Sequence, residues 1–281
     1  MGKLNLFELD FTRDEFIMLS YLLGAKEFIG VEDTNKLLNL NEDELRIKWI
    51  KIKNSLVAKG YIRENKENAL DVDVAVYYLL SICTKPKHLF TLEIAEDAQL
   101  VLHANYYVNE EGITQVRFGP NEGAELTLKP MYSISDITES IEKIMGIDKE
   151  EEALESIITG SLTKQQYYSF MAAMNMNNRV KAKELLITSG LPEDLALDAI
   201  KGFEEKQRFL SFTESNLNSE EVLTQSFMFY FTDNHCYNVE ISSNDDETFK
   251  LNVTDSIICK NILKQLIVSK CKNFEFSDKE E

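Results

Sequence analysis

The sequence predicts an α+β fold with pseudo-twofold symmetry, in which two three-stranded meanders form an antiparallel sheet flanked by helical bundles. Three observations predict this fold. A strand, a Ser- or Asp-containing turn and an amphipathic helix occur in that order twice, in AELTLKPMYSISDITESIEKIM (124–145) and TFKLNVTDSIICKNILKQLIVS (248–269). Helix starts recur at one constant offset, and strands of alternating polarity follow them in both halves of the chain.

Two pairs of helix starts share an offset of 151 residues. Thr12 and Thr163 each precede an apolar helical pattern, in FTRDEFIMLSYLLG (11–24) and LTKQQYYSFMAAMN (162–175), at the position where a hydroxyl side chain is favoured as N-cap. At the same offset, NEDELRIKWIKI (41–52) and PEDLALDAIKGF (192–203) begin with acidic residues and continue with apolar residues at helical spacing. The shared offset indicates a duplicated unit.

A meander of three strands follows the helices in each half. The predicted strands are QLVLHANYYV (99–108), GITQVRF (112–118) and AELTLKPM (124–131), and then QSFMFYFTD (225–233), HCYNVEIS (235–242) and TFKLNVT (248–254). Turn-forming residues separate them, as expected for antiparallel hairpins. In the SFMFYF segment both faces are apolar, which indicates a strand with core on both sides.

The predicted units are residues 1–145 and 162–281, joined by a helical connector at 146–161. A single three-stranded sheet with one helical layer has a small core and exposed edges. We therefore expect the two units to pack together as one integrated domain.

The first unit begins like a winged helix, with seven basic and two acidic residues between Glu44 and Lys66. At about 100° per residue, one apolar stripe lies on one side of the helix and a second stripe lies roughly opposite. The first stripe is Leu45, Trp49, Ile52 and Leu56, and the second is Ile47, Ile50 and Val57. Burial of both stripes would leave no polar face for a DNA groove, so DNA binding is disfavoured.

Composition narrows the class of protein. The net charge of −18 favours protein or cationic partners over nucleic acid and anionic lipid. The four cysteines Cys83, Cys236, Cys259 and Cys271 are scattered, which is typical of a reducing compartment. The charged N-terminal stretch lacks a signal-peptide pattern, and no apolar run reaches the roughly 20 residues that span a bilayer. We expect a cytoplasmic protein without membrane insertion.

No motif indicates catalysis or metal binding. The histidines His88, His103 and His235 are isolated, and the sequence lacks metal-ligand spacing, a nucleophile elbow and a phosphate-binding loop. The sequence predicts a non-enzymatic protein with no catalytic residue, no metal and no cofactor.

Several segments together resemble the EspG family of cytosolic chaperones of type VII secretion. They are LDFTRDEFIMLSYLLG (9–24), LFTLEIAEDAQLVLHANYYV (89–108), EGITQVRFGPNEGAELTLKPM (111–131) and a degenerate second copy from Leu162 to Ser269. The resemblance lies in organisation rather than identity. It implies a central sheet built by both halves and a chaperone that covers the helical tip of a secretion substrate, without cofactor or catalysis.

The first half departs from the actinobacterial members of that family in being rich in Lys and Asn. This composition suits a low-GC Gram-positive bacterium, where the implied substrate is a helical toxin or its small helical partner. Two alternatives stay open: an immunity protein that neutralises a toxin, and a winged-helix transcriptional regulator. Monomer and dimer are both compatible with the sequence.

A groove that binds a helical protein needs apolar anchors and a polar rim. The tips GPNEG (119–123) and SSNDDE (242–247) occupy equivalent positions and are expected to project from the sheet as a pair. The predicted partner-binding residues are Asn121, Glu122, Asn244, Asp245 and Asp246 at these tips, with Phe229 and Tyr237 as anchors.

Overall fold

The computed structural model has one large antiparallel sheet to which both halves of the chain contribute. It describes residues 7–25, 30–31, 37, 39–65, 69–97, 99–119, 126–133, 135–137, 139, 158–205, 208–217, 223–232, 235–241, 248–254, 261, 264–265 and 268.

In the described part of the first half, a short strand, three helices and a two-stranded hairpin precede a four-stranded meander. The elements are β1 (Leu9–Phe11), α1 (Arg13–Leu22), α2 (Glu42–Ala58), β2 (Ile62–Glu64), β3 (Leu70–Val72), α3 (Val74–Thr84), β4 (His88–Glu96), β5 (Gln99–Asn109), β6 (Gly112–Phe118) and β7 (Leu126–Met131).

The elements of the second half are β8 (Ile158–Thr163), α4 (Lys164–Asn175), α5 (Arg179–Thr188), α6 (Glu193–Glu205), β9 (Arg208–Asn216), β10 (Leu223–Phe231), β11 (Cys236–Ile241) and β12 (Thr248–Thr254). The second half follows a related order among the described residues: it lacks counterparts of β2, β3 and α3, and it has a helix, α5, between the counterparts of α1 and α2.

The strand order reveals the pseudo-twofold symmetry. The ten strands lie in the order β1-β7-β6-β5-β4-β9-β10-β11-β12-β8, so the second half repeats the first in reverse across the contact between β4 and β9. These two strands are antiparallel, and Leu92 at the middle of β4 pairs with Phe212 at the middle of β9. The pseudo-twofold axis passes between these two residues. The predicted α+β fold with two related halves is confirmed.

Each half contributes five strands rather than the three that the alternation predicted. The six predicted meander strands correspond to β5, β6 and β7 and to β10, β11 and β12. The additional strands are β4 and β9 at the centre and β1 and β8 at the edges. β1 has three residues, too few for a periodic pattern. In β9 the buried Leu210 and Phe212 alternate with serine and threonine, a weaker apolar signal than that of β10.

The helix starts at the common offset are confirmed. The Thr12 hydroxyl accepts a hydrogen bond from the Glu15 amide, and the Glu15 carboxylate accepts one from the Thr12 amide. Thr163 and Gln166 make the same reciprocal pair at the start of α4. The second pair of starts also holds, at α2 and α6. The halves then diverge, because α2 is followed by β2, β3 and α3, whereas α6 leads into β9.

The sheet is packed on both faces. On one face, Leu92, Phe212, Phe227 and Phe229 form a core with Ile137. The opposite face, here called the helix face, carries two separate apolar clusters. One contains residues of α1, α2 and α3, and the other contains residues of α4, α5 and α6. In β10, Met228 and Tyr230 pack on the helix face while the phenylalanines lie on the other, so the predicted two-sided core is confirmed.

The predicted connector is in part a strand. Its last four residues, 158–161, begin β8, which pairs with β12 in the register of Gly160 with Leu251. The helical prediction is therefore wrong for these residues, because the backbone ladder to β12 outweighs the local pattern. Residues 146–157 lie outside the described residues, so the unit boundaries stay a prediction. The described residues of the predicted closing helices, 135–137, 139, 261, 264–265 and 268, are helical.

Candidate functional site

Between the two helix-side clusters, the centre of the helix face is lined by hydroxyl side chains. We call this set the hydroxyl strip. It comprises Thr91 of β4, Ser211, Thr213 and Ser215 of β9, and Thr224 and Ser226 of β10. Thr224 is exposed and the others are half-buried. No described residue of β9 belongs to either helix-side cluster, so the strip is a partly open floor between the two groups of helices.

Local hydrogen bonds fix the hydroxyl strip. Thr213 and Ser226 share a hydrogen bond of 3.0 Å between their hydroxyls across β9 and β10. Ser215 and Thr224 are joined in the same way at 3.2 Å. Each hydroxyl retains further capacity to donate or accept, because a serine or threonine oxygen has one proton and two lone pairs. The strip is thus an ordered polar surface that can receive hydrogen bonds from a partner.

At one end of the strip the surface becomes apolar. Leu100 and Val101 of β5 are each 52% exposed, at a β-bulge where the register shifts between Ile94 and Ala95. Ala95 pairs with Leu100 on one side and with the half-buried Phe209 on the other. Bulges are frequent beside functional sites because they redirect side chains. This apolar end could bury area against a partner while the hydroxyls select its orientation.

A carboxylate lies within the same surface. Glu93 of β4 is half-buried and pairs in register with Ser211 of β9 and His103 of β5. It makes no ion pair within the part of the chain that the structure describes. By contrast, the nearby Glu96 is neutralised by Arg208, whose Nε donates to the carboxylate at 2.8 Å. The carboxylate of Glu93, which lies beside the hydroxyl strip, is therefore available to a hydrogen-bond donor or a cation of a partner.

The predicted tip residues Asn121, Glu122, Asn244, Asp245 and Asp246 lie outside the described residues. The strands that lead to the two tips are described. β6 and β11 stand five places apart in a sheet whose neighbours are all antiparallel, so they run in opposite directions. Phe118 and Ile241, their last residues, therefore lie at opposite ends of the sheet, and the strands do not bring the two tips together as the predicted pair.

The predicted anchors Phe229 and Tyr237 are both completely buried within the chain. Phe229 packs in the core on one side of the sheet, and Tyr237 packs against the helices on the other. Their rings serve internal packing and offer no surface to a partner in this structure. The sequence offered both residues as anchors for a partner, because it does not reveal that other parts of the chain cover both faces of these strands.

Tyr237 instead belongs to a polar cluster around Asp198 of α6. One carboxylate oxygen of Asp198 accepts hydrogen bonds from the Tyr237 hydroxyl at 2.7 Å, from His235 Nδ1 at 2.9 Å and from the Thr232 hydroxyl at 2.9 Å. Burial alone would raise the pKa of Asp198, but these donors outweigh it and lower the pKa. Burial and the adjacent carboxylate raise the pKa of Tyr237. The cluster attaches α6 to β10 and β11.

The described residues give little support for a metal site, a reactive cysteine or a membrane span. They contain no group of three or more His, Cys, Asp or Glu side chains arranged to hold a metal ion. Cys83 and Cys236 are buried free thiols, and burial raises the pKa of Cys83. No helix in the described part of the chain has the length and apolarity that crossing a bilayer requires.

The helix of the winged-helix-like segment, α2, differs from the prediction. Ile52 and Leu56 of the first apolar stripe are buried as expected. The second stripe is not buried, since Ile47, Ile50 and Val57 are 58%, 50% and 44% exposed. The prediction that both stripes are covered is wrong: among the described residues α2 packs on α1 and β2, and no packing layer covers the second stripe. The outer face carries this apolar stripe together with the exposed polar side chains of Arg46, Lys51 and Asn54.

The comparisons with known proteins give one informative result. No family model and no curated protein matches the sequence. Among solved structures, the chain is similar to the Mycobacterium tuberculosis type VII secretion system chaperone EspG5, in its complex with the PE25–PPE41 dimer. The TM-score is 0.65 at 8% sequence identity, and the match covers 95% of each chain. The chain has the EspG fold, which confirms the resemblance at the level of structure.

Proposed function

We propose that this chain is a non-enzymatic cytosolic chaperone or adaptor that binds an exported helical protein of a type VII secretion system, either a toxin or the helical partner of a toxin. The supporting observation is the match to EspG5 over 95% of both chains despite 8% identity. A shared fold alone does not establish function, so the role rests on this proposal and on the capture experiment that tests it.

The open centre of the helix face is the surface that we assign to the client. It combines exposed apolar area at Leu100 and Val101, ordered hydroxyls in the hydroxyl strip, and the unpaired carboxylate of Glu93. Protein interfaces of this kind have an apolar anchor region and a polar rim. The tip residues Asn121, Glu122, Asn244, Asp245 and Asp246 are proposed to extend the contact at the ends of the sheet.

The test is capture from the native host with a matched pair of variants. Val101→Asp places a charge on the apolar end of the strip, and Val180→Asp places the same charge on α5, where Val180 is 67% exposed. We expect an exported helical protein to co-purify with the wild type and with Val180→Asp. With Val101→Asp its yield should fall about tenfold, the effect of losing about 1.4 kcal/mol of binding free energy.

The captured protein also decides between a chaperone and an immunity protein. A chaperone binds the helical export region and leaves the activity of a toxin client intact, whereas an immunity protein blocks that activity. Recovery of DNA alone, or equal yields from both variants, would contradict the proposed site and role.

A further inference from the structure

We propose that α2 carries a second docking surface, which binds an acidic amphipathic helix of another protein. The surface is the second apolar stripe, Ile47, Ile50 and Val57, here called the α2 ridge. It lies on the outer side of α2 and is separate from the hydroxyl strip. Neither the EspG likeness nor the proposed client site requires it.

The α2 ridge is held rigidly. On the inner side of the helix, Ile52 is 6% exposed and Leu56 is fully buried in the core that α2 shares with α1. The Asn41 side chain caps the first turn by accepting a hydrogen bond from the Glu44 amide at 2.9 Å. A fixed helix with an uncovered apolar face is preorganised for a partner, because little conformational freedom is lost on binding.

Helix formation does not explain the residue types on the ridge. Isoleucine and valine are β-branched and have lower helix propensity than Leu, Lys or Glu. An exposed helix position has no packing need for them. Three such side chains lie on one exposed face of α2: Ile50 follows Ile47 by three residues and Val57 follows Ile50 by seven, with the exposed Asn54 between them. They form an apolar face against which the apolar stripe of a partner helix packs.

Charge identifies the class of partner. Arg46 and Lys51 flank the ridge on its two sides, at about 100° per residue. Both are exposed, and neither makes an ion pair with any residue that the structure describes. The other cations of α2 are neutralised: Lys48 pairs with Asp14 at 2.8 Å, and Lys53 pairs with Glu64. In a chain of net charge −18, this apolar ridge between two unpaired cations is complementary to an apolar stripe flanked by carboxylates.

Other occupants fit less well. Duplex DNA would leave the ridge against phosphates with its apolar area unburied. Two copies of α2 packed together would bring the flanking cations of one ridge towards those of the other. An anionic membrane would meet Asp43, which lies on the line of the ridge and is exposed. A partner helix of about three turns covers Ile47 to Val57 and stops short of Asp43.

The test uses fluorescent amphipathic peptides of about 16 residues with a leucine stripe, one flanked by glutamates and one by lysines. Fluorescence anisotropy measures their binding to the full chain. We expect the acidic peptide to bind the wild type at the α2 ridge and to lose affinity as salt is raised, whereas binding of the basic peptide to the acidic chain should not depend on Ile50. Duplex DNA and phosphatidylserine vesicles are measured in the same way.

Matched variants locate the site. Ile50→Asp should weaken the acidic peptide at least about tenfold, whereas Leu197→Asp on α6, where Leu197 is 49% exposed, should leave it unchanged. The pair Arg46→Glu and Lys51→Glu should shift the preference towards the basic peptide. Val101→Asp should have no effect, which separates this surface from the client site. Absence of acidic-peptide binding, or Ile50-dependent binding of DNA or vesicles, would overturn the proposal.

Discussion

At the residue scale, Asp198 shows how a side chain predicted for binding is used internally. Tyr237 was a predicted anchor because it is a large aromatic residue on an alternating strand. In the structure its hydroxyl donates to Asp198 and its ring is buried. Three donors bind one carboxylate oxygen of Asp198, so the Tyr237 hydroxyl helps to hold α6 against the sheet. A buried polar network of this kind stabilises only when all of its members are satisfied.

Replacement of Asp198 by alanine should therefore destabilise the second half. The change removes three hydrogen bonds to a charged acceptor and leaves the buried Tyr237 hydroxyl with its weaker 3.1 Å contact to the Leu195 carbonyl. We expect a loss of about 2 kcal/mol in the free energy of unfolding, measured by urea denaturation. Asp194→Ala on the same helix is the control, because Asp194 is exposed and should cost only a few tenths of that amount.

The same carboxylate gives a pH dependence with a definite sign. The pKa of Asp198 is lowered in the folded chain, so the folded state favours the ionised form. Its contribution is complete above its ordinary pKa of 3.8 and disappears as the pH falls through the lowered value. Asp198→Asn should flatten this part of the acid-unfolding curve. An unchanged acid-unfolding curve would show that ionisation of Asp198 does not contribute to the pH dependence of stability below its ordinary pKa.

At the element scale, the sequence predicted features whose residues are close together along the chain, and it did not predict features that form only when distant strands pair. Thr12 and Thr163 could be predicted as helix starts because an N-cap residue and the apolar helical pattern that follows it are adjacent in sequence. The hydroxyl strip was not predicted, because Thr91 and Thr213 become neighbours only when β4 pairs with β9. Their side chains are ordinary polar members of alternating strands, and no local pattern marks a strand as central. The predicted burial of the second stripe of α2 was wrong for a related reason. Hydrophobic periodicity locates an apolar stripe on a helix, but it does not show whether another element packs on that stripe.

The caps offer a matched test of the two halves. Thr12→Ala and Thr163→Ala should each cost about 1 kcal/mol of stability, because each removes a side-chain acceptor for a free helix amide. Urea denaturation checks the loss. The corresponding serine variants keep the hydroxyl and should stay close to wild type. If alanine costs no more than serine, the hydroxyl does not contribute through the cap.

At the scale of the whole molecule, the contact between β4 and β9 decides whether the halves are independent. Leu92 and Phe212 face each other there, and both are fully or almost fully buried. Separation of the halves would turn both strands into edges and uncover this core. Unpaired edge strands with apolar faces associate readily. We therefore expect the sheet to behave as one body, as the prediction of a single integrated domain requires.

A split chain tests this directly. Fragments 1–150 and 151–281 should aggregate or stay unfolded when expressed alone, and form a one-to-one complex when expressed together. A tag on the first fragment and native mass spectrometry measure the complex. Phe212→Asp in the second fragment should abolish it, while Leu197→Asp should not. Two soluble, cooperatively unfolding fragments would instead establish separate domains.

The pseudo-twofold axis between Leu92 and Phe212 also bears on how many partners one chain binds. A true homodimer built on this axis would display every surface feature twice, and a binding face on each side could bridge two partners. Here the relation between the halves is approximate, because α6, the counterpart of α2 at the offset of 151 residues, carries Asp198 and Lys201 where α2 carries Ile47 and Ile50. Each chain therefore presents the α2 ridge once, and we expect one chain to bind a single partner helix at this surface.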